Sequence, residues 1–305
     1  MAAPSRPATI ASPRQILIGF ALAGLVATLW SGWMVVSRVG ATSHLLVSDV
    51  ALLRFAGAGL LTLPIFIARR AEIARAGWRA VLVLSIMGGA PYSVISVGGM
   101  VFAPTAQGAV VIPGALALFA TLIGWAWLKD RPGRDRWIGL GLVALALALI
   151  GIEGAHTGTW QGYALFLLAA VMWAAFTVGT RFWGLRPLTN VAVISVTSLL
   201  WYVPLVLAFD PTAIFTAPWQ EPALQLWYQG LMAGVLAPIM YTRAIQTIGP
   251  QRAALVMVMV PVLATLMAWA MLDEAPGPLT VAGMILVLPG MAFAAGAFAR
   301  RPGRS

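Results

Sequence analysis

Arg54 lies inside a long apolar run, in the setting Leu53-Arg54-Phe55, whereas the other basic residues fall in or beside the polar connections. Its guanidinium carries five N–H donors in a planar fork. A fully lipid-facing arginine at the bilayer centre costs about 2.5–3.5 kcal/mol on insertion scales. The side chain must therefore snorkel outward or face the interior, toward backbone carbonyls as a structural cap or toward the carboxylate of a bound solute. Four aromatic residues accompany it at mid-run, Trp30, Tyr92, Trp173 and Tyr241. Tryptophan ordinarily favours the membrane interface. Rings at mid-depth either fill space between helices or line a cavity, stacking on a solute while offering a donor. Trp125, Trp127 and Trp269 sit near run ends and read as interface anchors. Covalent chemistry has little support: there is no His-Glu-x-x-His zinc helix, Gly-x-Ser-x-Gly elbow or phosphate-binding Gly-x-x-x-x-Gly-Lys loop. Cysteine is absent and both histidines, His44 and His156, fall in connections, so neither a metal nor a cofactor is expected. No Asp or Glu is placed near mid-run, and Asp130 and Glu274 read as solvated turns at helix ends.

The elements that must hold these residues are membrane helices. The chain is 61% hydrophobic and 9% charged, with mean hydropathy +0.91; soluble domains carry roughly 25% charged residues. Apolar runs of roughly 20 residues number ten. The first five are Ile16–Ser37, Ser48–Ala68, Arg79–Phe102, Thr105–Leu128 and Arg136–Ile152. The second five are Trp160–Trp183, Thr189–Phe209, Leu224–Ile245, Pro250–Leu272 and Leu279–Phe298. The net charge of +10 points to no nucleic-acid partner, because its placement follows the membrane.

The chain is also duplicated. Gly19 to Arg38 recurs at Gly162 to Arg181 with an offset of 143, retaining among others Trp30/Trp173 and Arg38/Arg181. Ala120 to Gly133 recurs at Ala264 to Gly277 with an offset of 144 and eight of fourteen positions identical. With the N-terminus cytoplasmic, seventeen of nineteen basic residues fall on the cytoplasmic side, including Arg6, Arg300, Arg301 and Arg304 of the tails. Six of nine acids, Asp49, Glu153, Asp210, Glu221, Asp273 and Glu274, fall opposite. This asymmetry predicts that both termini are cytoplasmic. An odd number of spans per copy then makes the repeats inverted. The expected organisation is a tail over 1–15, a first repeat over 16–152, a second over 160–298 and a basic tail over 299–305. The first run is too long for a secretory signal and recurs in mid-chain, which reads as an uncleaved span.

Prolines interrupt several runs at mid-depth. Pro91 and Pro238 fall in the third and eighth, Pro113 and Pro261 in the fourth and ninth. Each removes a backbone hydrogen bond and loosens the preceding turn, giving either a fixed kink or a hinge. Matching bends in inverted copies are what alternating access requires.

Trp30-Ser31-Gly32, Leu53-Arg54-Phe55 and the acid-then-Pro-Gly ending of the fourth span, followed by Gly139, together resemble the drug/metabolite transporter superfamily, particularly its EamA-type branch. Lys129-Asp130 and Asp273-Glu274 stand where that branch has an acidic helix end, and Gly283 matches its second glycine. The counterpart of Arg54 is near Ser195, so that feature is not duplicated. The resemblance covers almost the whole chain. It implies an all-α membrane protein of ten helices in a 5+5 inverted repeat, and a carrier, commonly an exporter, of amino acids or related small metabolites. The small multidrug exporters use a glutamate in their first span, which this chain lacks, so that chemistry is disfavoured. An uncoupled facilitator or channel is the alternative, and a membrane-embedded enzyme has less support. The partners are a small-molecule substrate and the lipid bilayer, and a monomer is compatible. Arginine in place of lysine, with high Ala and Gly, suggests a bacterial chain and hence the inner membrane.

Overall fold

The computed structural model describes residues 12–295. The tail arginines Arg6, Arg300, Arg301 and Arg304, most of the expected tails and the end of the tenth span lie outside the described residues. Among the described residues there are no strands, and nine helices are long and apolar enough to cross a membrane. These are α1 (Pro13–Ala41), α2 (Val47–Ala68), α3 (Arg70–Phe102), α4 (Thr105–Leu128), α5 (Arg134–Thr157), α6 (Trp160–Trp183), α7 (Pro187–Phe209), α8 (Gln220–Ile248) and α9 (Pro250–Leu272). A shorter apolar helix, α10 (Pro278–Ala294), completes the ten. Several of the observed helices run a turn beyond the expected spans, because they continue through polar residues that hydropathy does not count. At the start of α1, Ser12 Oγ accepts from Gln15 N (3.3 Å) and Gln15 Oε1 accepts from Ser12 N (2.8 Å), with Pro13 opening the helix.

The two halves interlock. Helix α1 packs on α8 and α9, and its repeat equivalent α6 packs on α3 and α4; α2 lies against α7, and α5 against α10. Each contact thus has a counterpart with the halves exchanged. The sense of the exchange is visible at the ends. The C-terminal end of α1 meets the end of α9 through Arg38 and Glu274, and the start of α6 meets the start of α4 through Thr159 Oγ1 and Gln107 Oε1 (3.0 Å), all on one face. The equivalent helices α1 and α6 therefore run in opposite directions, as an inverted repeat demands.

That face holds six of the nine acids, and for Glu274 the expectation of a solvated turn needs correction, whereas Asp130 on the other face is 43% exposed. Glu153 lies in the last turns of α5, only 8% exposed, and its Oε2 accepts from Thr280 N at 2.5 Å. Asp49 is fully buried and accepts from Leu46 N (3.0 Å), Ala213 N (3.0 Å) and Thr212 Oγ1 (2.6 Å). Glu274 Oε2 accepts from Thr105 N (2.8 Å) at the start of α4. Carboxylates meeting the unpaired N–H groups at helix starts satisfy donors that lipid could not. They tie one half to the other rather than facing water.

The prolines mark interruptions unequally. Helix α3 breaks at Gly89, and Pro91 opens its second segment, Ala90–Phe102. Helix α8 is π-helical over Leu226–Leu236, and Pro238 opens the α-helical segment that follows. Pro261 likewise follows a break in α9, which is α-helical over Pro250–Met257 and again over Val260–Leu272. Pro113, in the corresponding span of the first half, lies within the unbroken α4. Pro113 and Pro261 stand at an offset of 148, one helical turn beyond the 144 of the neighbouring repeat block, so they share neither a position in the repeat nor a backbone geometry.

Candidate functional site

The Trp30-Ser31-Gly32 step places α1 against α8 and α9. Ser31 Oγ donates to the carbonyls of Ala27 (2.7 Å) and Val260 (3.2 Å). Any Cβ at Gly32 would collide with the hydroxyl of Tyr228, which donates to Leu29 O at 3.1 Å. Trp30 is thereby directed at α8, where its ring lies 5.2 Å from that of Tyr241. On the other side of the pseudo-symmetry, Trp173 of α6 meets Tyr92 of α3 with centroids 4.7 Å apart, and Phe176 extends the stack at 4.8 Å. The four aromatic candidates therefore form two pairs, each joining a first-helix tryptophan to a tyrosine of the third helix of the opposite half.

Between the halves lies a polar cluster that sequence reasoning missed. Gln229, in the π-helical stretch of α8, is fully buried. Its Oε1 accepts from Trp33 Nε1 (2.6 Å) and Arg54 Nη1 (3.3 Å), and its Nε2 donates to Ser37 Oγ (2.9 Å) and Gln225 Oε1 (3.2 Å). All four hydrogen-bonding positions of the amide are filled. Gln225 Nε2 continues the chain to Val36 O at 2.9 Å. A π-helical turn widens the backbone locally and is frequent at functional sites. Here it brings Gln225 and Gln229 onto α1 and α2. The signal available in the sequence was two glutamines four residues apart inside an apolar span.

Arg54 faces this interior, not lipid. Its guanidinium lies 5.4 Å from the Trp33 ring centroid and 5.7 Å from that of Phe55, with Tyr92 within electrostatic reach. The expectation of backbone carbonyl partners is corrected: its hydrogen-bond acceptor among the described residues is the Gln229 side chain. No carboxylate among the described residues forms an ion pair with it. Four of its five donors remain for other acceptors. The residue as a whole is half-buried. Trp125, Trp127 and Trp269 are exposed, as anchors at a lipid surface would be.

The comparisons agree with this architecture. The model of the EamA-like transporter family matches residues 17–152 and again 160–296. The uncharacterized transporter YoaV of Bacillus subtilis (strain 168) is 25% identical over 291 residues, covering 90% of this chain and 96% of that protein. A solved crystal structure superimposes with a TM-score of 0.63 at 20% identity, covering 94% of this chain and 99% of the other; at that identity it supports the fold alone. A 78-residue stretch is 40% identical to quinoprotein glucose dehydrogenase A of Acinetobacter calcoaceticus, but it spans 26% of this chain and 10% of that enzyme. A match confined to a tenth of the enzyme carries nothing of its activity here. Two family matches, one on each half of a duplicated all-helical chain, establish that this protein belongs to the EamA-like transporter family.

Proposed function

We propose that the chain is a secondary carrier that exports small metabolites bearing a carboxylate, amino acids or related compounds, across a bacterial inner membrane by alternating access. The observation that carries the substrate class is Arg54, a cation between the halves with no carboxylate partner and donors to spare. A solute carboxylate would complete it bidentately. The aromatic pairs Trp30–Tyr241 and Tyr92–Trp173 are proposed to flank the solute. The breaks at Pro91, Pro238 and Pro261, with Pro113 as the remaining kink, are proposed as the places where the helices bend.

Counterflow in proteoliposomes tests the carrier reading. Preloading with unlabelled substrate is expected to accelerate uptake of labelled amino acids, whereas a channel shows no such acceleration and an enzyme returns a changed product. Trp30→Ala and Trp173→Ala are each expected to weaken apparent affinity about three- to tenfold, the loss of one stacking partner. Phe at either position should retain more activity. Equal loss of folded protein and transport in all four variants would mean that the rings only fill space.

The orientation follows from charge. The face carrying Asp130, Arg136, Arg181, Arg186 and Glu72 holds most of the arginines and is proposed to be cytoplasmic, with both termini on that side. Reporters fused after Arg70, Arg134, Arg186 and Arg252 are expected to register cytoplasm. Those after Gly40, Gly154, Pro218 and Pro276 should register the opposite side. A reversed or shifted pattern would overturn the orientation.

A further inference from the structure

Arg38 and Arg181 are repeat equivalents at an offset of 143, and Asp130 and Glu274 at an offset of 144. The fold brings them together crosswise. Arg38, near the end of α1, pairs with Glu274 just past α9, and Arg181, near the end of α6, pairs with Asp130 just past α4. These are the same contact made once at each face.

The local backbone is repeated as well. Lys129 and Asp273, each preceding the acid, are the non-glycine residues with positive φ among the described residues, at (58°, 24°) and (57°, 25°). L-residues adopt this left-handed region at a steric cost. In both turns the next amide returns to a carbonyl six residues back, Asp130 N to Gly124 O and Glu274 N to Ala268 O, each at 3.4 Å. The identical cap aims both acids at the first helix of the opposite half.

The two pairs nevertheless differ in state. Arg38 Nε lies 2.5 Å from Glu274 Oε1, with side chains 20% and 15% exposed. Glu274 also holds Thr105 N at 2.8 Å, and Arg38 Nη1 donates to the carbonyl of Met100, so the contact clasps α1, α3, α4 and α9. Arg181 Nη2 stands 3.6 Å from Asp130 Oδ2, with side chains 59% and 43% exposed, and Asp130 lies 3.9 Å from Arg136 Nη1. One clasp is drawn tight and half-buried; the other is slack and wet.

We propose that Arg38–Glu274 and Arg181–Asp130 are alternating latches, the first locking the acidic face in this conformation and the second locking the basic face in the opposite one. The proposal rests on the alternating-access reading and assigns it specific residues. An equilibrium between two conformations shifts by whatever a contact contributes to one and not the other. Removing one latch must then raise access from its own face and lower access from the opposite face.

The native chain has no cysteine, so one introduced thiol reports alone. Ser93 is suitable: it adjoins Tyr92, is fully buried, and its hydroxyl has no hydrogen-bond partner for the thiol to lose. In full-length Ser93→Cys protein in oriented membrane vesicles, a membrane-impermeant maleimide is added from either side and labelling rates are measured. Arg38→Ala and Glu274→Gln are each expected to raise labelling from the acidic face about tenfold and to lower it from the basic face. Arg181→Ala should do the reverse. Glu274→Gln keeps an oxygen for Thr105 N and carries the test if Arg38→Ala folds poorly. Unchanged rates, or rates that rise from both faces together, would overturn the latches. Counterflow by the native protein would still stand in that case, so failure of the latches is distinguishable from failure of the carrier reading.

Discussion

Arg54→Ala is expected to reduce counterflow of carboxylate solutes about a hundredfold while leaving most of the folded protein intact. The expectation follows from how the guanidinium is held. Its packing partners are the faces of Trp33 and Phe55, worth about 0.5–2 kcal/mol per cation–π contact. Gln229 loses one donor but retains Trp33 Nε1, Ser37 Oγ and Gln225 Oε1, so no buried amide is left bare. Truncating one side of a desolvated, hydrogen-bonded charge pair costs about 2–5 kcal/mol. A bound carboxylate would lose that interaction in full. Arg54→Lys retains the charge on a compact ammonium without the planar fork. An intermediate defect, about tenfold, is expected. Transport at native rate and affinity with Lys would remove the fork from the mechanism. Equal collapse of folded yield with Lys and Ala would make the residue structural and end the substrate role.

The inverted repeat and the spans were legible in the sequence because lipid imposes them. Every backbone group must be paired within a helix, so uninterrupted apolar length reports a crossing directly. Trp30 and Trp173 were legible as a matched pair for the same reason that Arg38 and Arg181 were: each lies in a block copied with one offset. Their partners were not legible as partners. Tyr92 and Tyr241 are not at equal offsets within their spans, and the break at Gly89 and the π-helical turn in α8 displace the two helices differently before they meet α6 and α1. Gln229 was hidden by its chemistry. A neutral amide barely disturbs hydropathy, and its importance arises only when Trp33, Ser37, Gln225 and Arg54 converge on it from three helices. The partners of Glu153 and Glu274 were not legible because a carboxylate near a helix end has two destinations, water or the bare amides of another helix. Only the fold brings Thr280 N and Thr105 N within reach.

Gly139→Leu is expected to cause the largest loss of stability, because it would drive a side chain into backbone. A Cβ at Gly139 of α5 would stand 2.5 Å from Gly290 O, 2.8 Å from Phe293 Cβ and 2.9 Å from Ala294 N of α10. Reciprocally, a Cβ at Gly290 would stand 2.9 Å from Gly139 O and 3.2 Å from Val143 N. The repeat makes the crossing twice: Gly283 is the equivalent of Gly139, and its Cβ would meet Ile150 at 2.9 Å and Ala146 O at 3.2 Å, where Ala146 is the equivalent of Gly290. In lipid, helix association depends on close van der Waals packing through small residues, since apolar side chains gain nothing by leaving lipid tails for each other. Overpacking an interior costs about 1–3 kcal/mol when side chains can adjust. Backbone atoms cannot adjust without moving a whole helix, so the cost at Gly139 should lie at or above that range. Gly283→Leu should be milder, because its closest neighbour is the flexible end of Ile150. Gly141 supplies the control: it lies two residues along the same helix, where an added Cβ meets nothing within 4 Å. Thermal melting of the purified proteins should rank native and Gly141→Leu highest, Gly283→Leu next and Gly139→Leu lowest. If Gly139→Leu melted with Gly141→Leu, α5 and α10 could not be in backbone contact. The brace that joins the two halves outside the aromatic site would then have to be sought elsewhere.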